Sequence, residues 1–236
     1  METESRVVCR AGSMASLAIA LGYVIIIALY VPMGAPGQGA AARLTQIAAH
    51  QRAWWAILAL SVITDLLFLP LIWALYQVLK PFQRPLMVVA TVSISLFVIL
   101  DLTLTWTNYA ALIPLSDRFA HAGSEAHRAA ITATAEYPTL IIESSLLFFY
   151  NSLSLALGIL VVGIVMRRGV FGQGIAWIGI TGGILGIVSV VGSLFVAGSS
   201  AGIILTSILT TIWTFLVGLK LRKLARCGLA LAPSEK

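Results

Sequence analysis

Three carboxylates stand in stretches where ionised side chains are rare. Asp65 lies in Val62-Ile-Thr-Asp-Leu-Leu-Phe68, Asp101 in Leu96-Phe-Val-Ile-Leu-Asp-Leu-Thr-Leu-Thr-Trp106, and Glu143 in Leu140-Ile-Ile-Glu-Ser-Ser-Leu146. The other acids, Glu2, Glu4, Asp117, Glu125, Glu136 and Glu235, fall in tails or connecting segments. A carboxyl in an apolar setting is costly and turns toward an interior or a water-filled cavity. There it can handle a proton or cation, act as a general acid, or anchor a polar headgroup. It can also hold helices together by bonding to Thr, Asn or Ser on a neighbour.

Helical spacing supplies such neighbours. Asp101, Thr105 and Asn108 follow i, i+4, i+7, and Glu143, Asn151 and Ser154 follow i, i+8, i+11. Ser61 lies one turn from Asp65, and Thr206, Thr210 and Trp213 share a face. These spacings put each set on one side of its helix. The expectation is a polar pocket, open to one side, with Asp65, Asp101, Thr105, Asn108, Glu143 and Asn151 as its candidate binding residues.

Other chemistry is poorly served. His50, His121 and His127 are scattered, and the last two are six apart, off a common helical face. No metal site is expected from them. Cys9 and Cys227 form no metal or redox motif. The sequence holds no Gly-x-Ser-x-Gly, phosphate-binding loop or dinucleotide fingerprint, so no cofactor is expected.

The elements that must position the acids follow from composition. The 236 residues are 59% hydrophobic and only 10% charged. A water-soluble chain of this length could not hide so much apolar surface. Apolar runs at about residues 14–33, 54–79, 86–112, 139–166, 174–197 and 202–219 are each long enough to cross a core of roughly 30 Å at about 1.5 Å per residue. Inside lipid every backbone amide must be satisfied, which favours helices, and the alternation of a membrane barrel is absent. The predicted fold is all-α: a polytopic membrane protein, one domain over 1–236, with a six-helix transmembrane bundle. No Lys or Arg falls within these spans, so no counter-charge for the acids is expected there.

Of the 15 basic residues, 11 fall on one side of this topology, and Arg43, Arg52, Arg118 and Arg128 on the other. The positive-inside rule puts the first side, with both termini, in the cytoplasm. The net charge of +6 is thus spread over span ends, and nucleic acid is not an expected partner. Arg6, Arg10 and the following apolar run are similar to a secretory signal, but the run is long for one and is expected to be retained. The acids then lie at or above the midplane, toward the outside.

Residues 40–52 and 116–137 are Ala-rich outer segments that read as short surface helices, the second broken at Gly123 and capped by Ser124. Trp54, Trp55, Trp106, Tyr109 and Tyr137 fall near the outer interface and Trp73, Tyr76 and Trp177 near the inner one, where an aromatic belt accounts for most of them. Gly179, Gly182, Gly183 and Gly186 let another helix come close, either within the bundle or in a homo-oligomer. No clear internal repeat is present; Val-Ile-x-Asp-Leu occurs in the second and third spans alone.

Asp65 to Lys80, ending Leu-Tyr-Gln-Val-Leu-Lys, then Gly179-x-x-Gly-Gly-Ile-Leu-Gly186 and Ile212-Trp-Thr-Phe-Leu-Val-Gly-Leu-Lys220, make the chain resemble the membrane proteins grouped as domain of unknown function 4386. The resemblance implies a bacterial multi-span protein; its expected location is the cell (inner) membrane, with both termini cytoplasmic. It carries over no activity and no catalytic residue. Three readings stand: binding or translocation of a small amphiphile or cation, acid catalysis on a lipid or isoprenoid, or a structural or partner-binding subunit. Whether the protein is an enzyme is left open.

Overall fold

A computed structural model describes residues 2–34, 37–194 and 200–227. No strand occurs among the described residues. The elements are α1 (Glu2–Tyr30), α2 (Ala40–Ala49), α3 (Gln51–Leu100), a π-helical segment (Asp101–Trp106), α4 (Thr107–Ala120), α5 (Glu125–Glu143), α6 (Ser145–Met166), α7 (Gln173–Ser193) and α8 (Ser200–Cys227). Residues 195–197, the expected end of the fifth span, lie outside the described residues.

Among the described residues, five helical runs are long and apolar enough to cross a membrane, which marks a membrane protein. One of them, Gln51–Ala120, covers two of the six expected spans in 70 residues. It is not one rod. Gln83 leaves the helical region at φ −155°, ψ 79°, between Pro81 and Pro85. Each proline lacks an amide donor and crowds the preceding turn. The chain folds back there, because Phe68 and Phe97 meet edge to face at 5.9 Å. On a straight helix 29 residues would separate them by about 43 Å.

The helices pack in chain order as a closed ring: α1, the two limbs of α3, α6, α7, α8 and back to α1. Neighbours run antiparallel. Gly12 faces Ala74 and Gly22 faces Thr64, so α1 opposes the first limb of α3. Ser13 Oγ donates to the Gly218 carbonyl at 2.8 Å and Ser16 Oγ to that of Thr214 at 2.6 Å, which ties α1 to α8. Gly158 lies against Ile94, and Gly163 lies against the α7 backbone at Ile180. Four fifth-span glycines have neighbours within the chain: Gly183 meets Leu160, Gly179 meets Trp213, Gly182 meets Leu209, and Gly186 meets Ala156 and Thr206. At Gly183 a Cβ would come within 2.7 Å of the Leu160 backbone, so α6 and α7 approach more closely than any larger residue permits.

This alternation gathers the basic residues from Arg6 to Arg10, Lys80, Arg84, Arg167, Arg168 and Lys220 to Arg226 at one end of the ring. That end is filled by Leu75, Val78, Leu79, Met87, Val162, Val165, Met166, Val217 and Leu221, all essentially inaccessible. The outward faces of the helices expose Leu21, Val24, Ile63, Val92, Ile99 and Val188. In water so large an apolar surface would drive aggregation; in lipid it is solvated.

At the other end a second apolar cluster joins α2, the start of α3, α4 and α5 through Leu44, Ile47, Trp54, Ile57, Leu112, Ile113 and Ile131. The expected surface helices are therefore a packed cap. Gly123 lies in the expected break, and Ser124 Oγ accepts from the His127 amide at 3.2 Å. One boundary differs from expectation. Residues 139–143 finish α5 in the cap, and α6 starts anew at Ser145, because Ser144 turns extended (φ −66°, ψ 115°) and its hydroxyl caps the Leu147 amide.

Candidate functional site

Between the two apolar clusters lies a cavity of about 520 Å³. Its walls come from α1, both limbs of α3, the π segment, α6, α7 and α8, always from the part of each helix nearer the cap. Most lining groups are apolar or aromatic, with Ser61, Thr64, Ser152, Ser189, Thr206 and Thr210 among the hydroxyls. Asp65 and Asp101 both line it, and among the described residues no Lys, Arg or His does.

The two aspartates come from antiparallel limbs and are joined by one donor. Trp106 Nε1 donates to Asp65 Oδ2 at 2.8 Å and to Asp101 Oδ2 at 3.0 Å. Asn151 Nδ2 on α6 donates to Asp101 Oδ1 at 2.7 Å. Asp65 is only 3% exposed. Trp106 Nε1 and Asn151 Nδ2 are only two donors for two carboxyl groups, and two ionised carboxylates this close would repel. The arrangement is suited to taking up a positive charge or a proton between them.

The π segment makes this geometry. In an α-helix a residue five positions on lies well round the cylinder from its start, but the wider π turn brings it back to the same face. Trp106 is five residues after Asp101, and Thr107 Oγ1 likewise bonds the Leu102 carbonyl five residues back. The same extra residue overturns the expected i, i+4, i+7 face. Asn108 donates to the Leu104 carbonyl of its own helix, and neither Thr105 nor Asn108 lines the cavity. Asn151 touches the acid pair but is not part of the cavity wall. Ser61, Thr206 and Thr210 do line it.

Glu143 is elsewhere. It accepts from Arg43 Nη2 at 2.9 Å and from the Gly39 amide at 3.3 Å, at the edge of the cap. The expected lack of a counter-charge fails for this acid, because Arg43 from the outer α2 folds inward to 5% exposure. Arg43 Nη1 also donates to the Tyr109 hydroxyl at 3.3 Å. The pocket of three acids predicted from spacing is thus two sites: an Asp65–Asp101 pair in the cavity and an Arg43–Glu143 ion pair in its cap.

An aromatic series connects them. Tyr30, which lines the cavity, meets Trp54 edge to face at 5.6 Å; Trp54 stacks on Tyr109 at 4.9 Å; Tyr109 lies 5.7 Å from Trp106. Trp54, Tyr109 and Trp106 therefore belong to the interior and not to an interfacial belt. Trp55 and Tyr137 are well exposed, as a belt requires. Toward the basic end of the ring, Tyr23, Phe68 and Phe97 form a second series below the acids. Trp106 carried no signal in the sequence, because an indole near a span end ordinarily marks the interface.

Among the described residues no group of three or more His, Cys, Asp or Glu side chains is placed to hold a metal ion. The family described as Domain of unknown function (DUF4386) matches residues 11–221. No curated protein and no solved structure matches the chain.

Proposed function

The chain belongs to the DUF4386 family, whose description assigns no activity, and we propose that it binds or translocates a small amphiphile or cation through the cavity beneath its cap. One observation carries this reading: two carboxyls share a single N–H on the wall of a largely apolar cavity of about 520 Å³. That volume falls within the roughly 300–1,000 Å³ of small-molecule sites, and a few convergent polar groups in an apolar pocket are their usual chemistry. Each buried Asp costs about 2.5–3.5 kcal/mol to place mid-membrane, so a pair facing a cavity is better explained by use than by packing.

In this reading the folded-back α3 crosses twice and the bundle has six spans. The basic end faces the cytoplasm with both termini, and the cap faces outward, in the cell (inner) membrane of a bacterium. The collection of basic residues at one end of the ring supports that orientation. The proximity of Asp65 and Asp101 favours a second reading, carboxylic-acid catalysis on a lipid or isoprenoid, since paired carboxyls can divide acid and base roles.

The test is extraction of the protein purified in lipid nanodiscs, with mass analysis of what it carries, for wild type and for Ser152→Trp. The indole of this variant projects into the cavity from its wall and takes up part of its volume. A small amphiphile enriched over bulk lipid in wild type and lost in the variant supports the binding reading. Recovery of chemically converted lipid, lost in Asp101→Asn, favours the enzyme. Identical extracts from both proteins contradict both readings and leave a structural subunit.

A further inference from the structure

The cavity walls also define the class of ligand. We propose that it is an ammonium amphiphile, an alkyl or aryl amine whose nitrogen sits at Asp65 and Asp101 while its apolar part lies along Phe148, Leu155, Ile159 and Val190. This rests on the reading that the cavity holds a small ligand, and adds the ligand's charge and shape.

Charge comes first. Among the described residues the walls present two carboxyls and no basic side chain. A fatty acid or other anionic amphiphile would bring a further negative charge beside the acid pair, with no cation on the described walls to receive it. A zwitterion would leave its anionic half without a partner on these walls, which is costly in a desolvated setting. An ammonium group offers several N–H donors to the acceptor positions that Trp106 and Asn151 leave unused on the two carboxylates.

Shape favours an organic cation over a bare inorganic ion. The carboxyls lie on one part of a cavity of about 520 Å³, and Ile26, Ile27, Phe97, Leu155, Ile159 and Val190 make an apolar part beside its Ser and Thr hydroxyls. A small hard cation held by a close shell of oxygens would use the acids and hydroxyls and leave that apolar part unfilled. An organic cation uses both parts: the acids pair with its nitrogen, and burial of its apolar body contributes about 25 cal/mol per Å² removed from water. The aromatic rings of Tyr23, Tyr30, Phe97, Trp106 and Phe148 around the cavity attract a positive charge and disfavour a negative one.

The experiment uses the full chain in nanodiscs, with empty nanodiscs to subtract partition into lipid. Four probes are titrated by calorimetry: 4-phenylbutylamine, 4-phenylbutan-1-ol, 4-phenylbutyrate and sodium chloride. The first three share one apolar body and differ in the head. The amine is expected to bind at least about tenfold more tightly than the alcohol, with no binding of the carboxylate. Asp65→Asn and Asp101→Asn are each expected to lose that preference while still binding the alcohol weakly. Equal binding of amine and alcohol to wild type overturns the ammonium assignment and leaves the cavity reading standing. Binding of sodium with none of the amine overturns it in favour of an inorganic cation. Binding of no probe overturns both. The comparison of heads on wild type decides the matter even if an Asn variant fails to fold.

Discussion

At the residue scale, the unusual unit is Trp106 with its two acceptors. Asn151 completes it by donating to Asp101. Asn108, on the helical face where spacing places it with Asp101, bonds only a carbonyl of its own helix. The two asparagines should therefore respond differently. Asn151→Leu leaves a carboxyl with one donor fewer and is expected to destabilise by about 1–3 kcal/mol. Asn108→Leu is expected to cost under about 1 kcal/mol, since the freed carbonyl keeps its helical bond. Unfolding in detergent, followed by circular dichroism, measures both. Equal losses would restore the face drawn from α-helical spacing. The acids themselves were legible in the sequence, because a charge in an apolar run is rare and expensive. Their bridge was not, since only three-dimensional structure reveals that five residues, and not four, separate partners on one face.

At the scale of elements, Arg43 ties three helices of the cap to one another. This side chain comes from α2, pairs with Glu143 at the end of α5 and bonds Tyr109 on α4. The pair is buried on the arginine side, while the glutamate is 32% exposed. Removal of the arginine strands a glutamate and a tyrosine. Arg43→Ala is expected to destabilise by about 2–4 kcal/mol, below the full cost of breaking an entirely buried pair because water reaches Glu143. Glu143→Gln keeps an oxygen for the Gly39 amide and for Arg43, and should cost about half as much. If Glu143→Gln proves the more damaging, the carboxylate has a role beyond this ion pair. The break after Gly123 and the Ser124 cap were legible because local chemistry decides them. The Arg43 contact was not: α2 reads as a surface helix, and only the folding of the cap turns one of its charged residues inward. The turn at Ser144 was hidden for the opposite reason, since a run as apolar as 139–166 gives no sign of where a helix restarts.

At the scale of the whole molecule, apolar run length made the helices and their membrane class legible. Chain order around the ring follows from short inner connections between antiparallel neighbours. What run length could not give is the closure of α8 on α1, through Ser13 and Ser16, or the cavity that closure encloses. The proposal that the folded-back α3 crosses twice makes a clear prediction. In a chain with Cys9 and Cys227 replaced by Ser, Gln38→Cys and His121→Cys should react with a membrane-impermeant maleimide added to intact cells. Arg84→Cys and Arg168→Cys should react only after the membrane is opened. Labelling of Arg84→Cys in intact cells would mean that the hairpin does not cross.

The central claim is that Asp65 and Asp101, 36 positions apart in the sequence, form one site. A double-mutant cycle tests it most directly: unfolding free energies of wild type, Asp65→Asn, Asp101→Asn and the double variant, in one detergent at one pH. Residues that share a donor and repel one another do not contribute independently, so the double variant should depart from the sum of the singles by at least about 1 kcal/mol. Additivity within about 0.3–0.5 kcal/mol, the behaviour of residues far apart, would contradict the shared site.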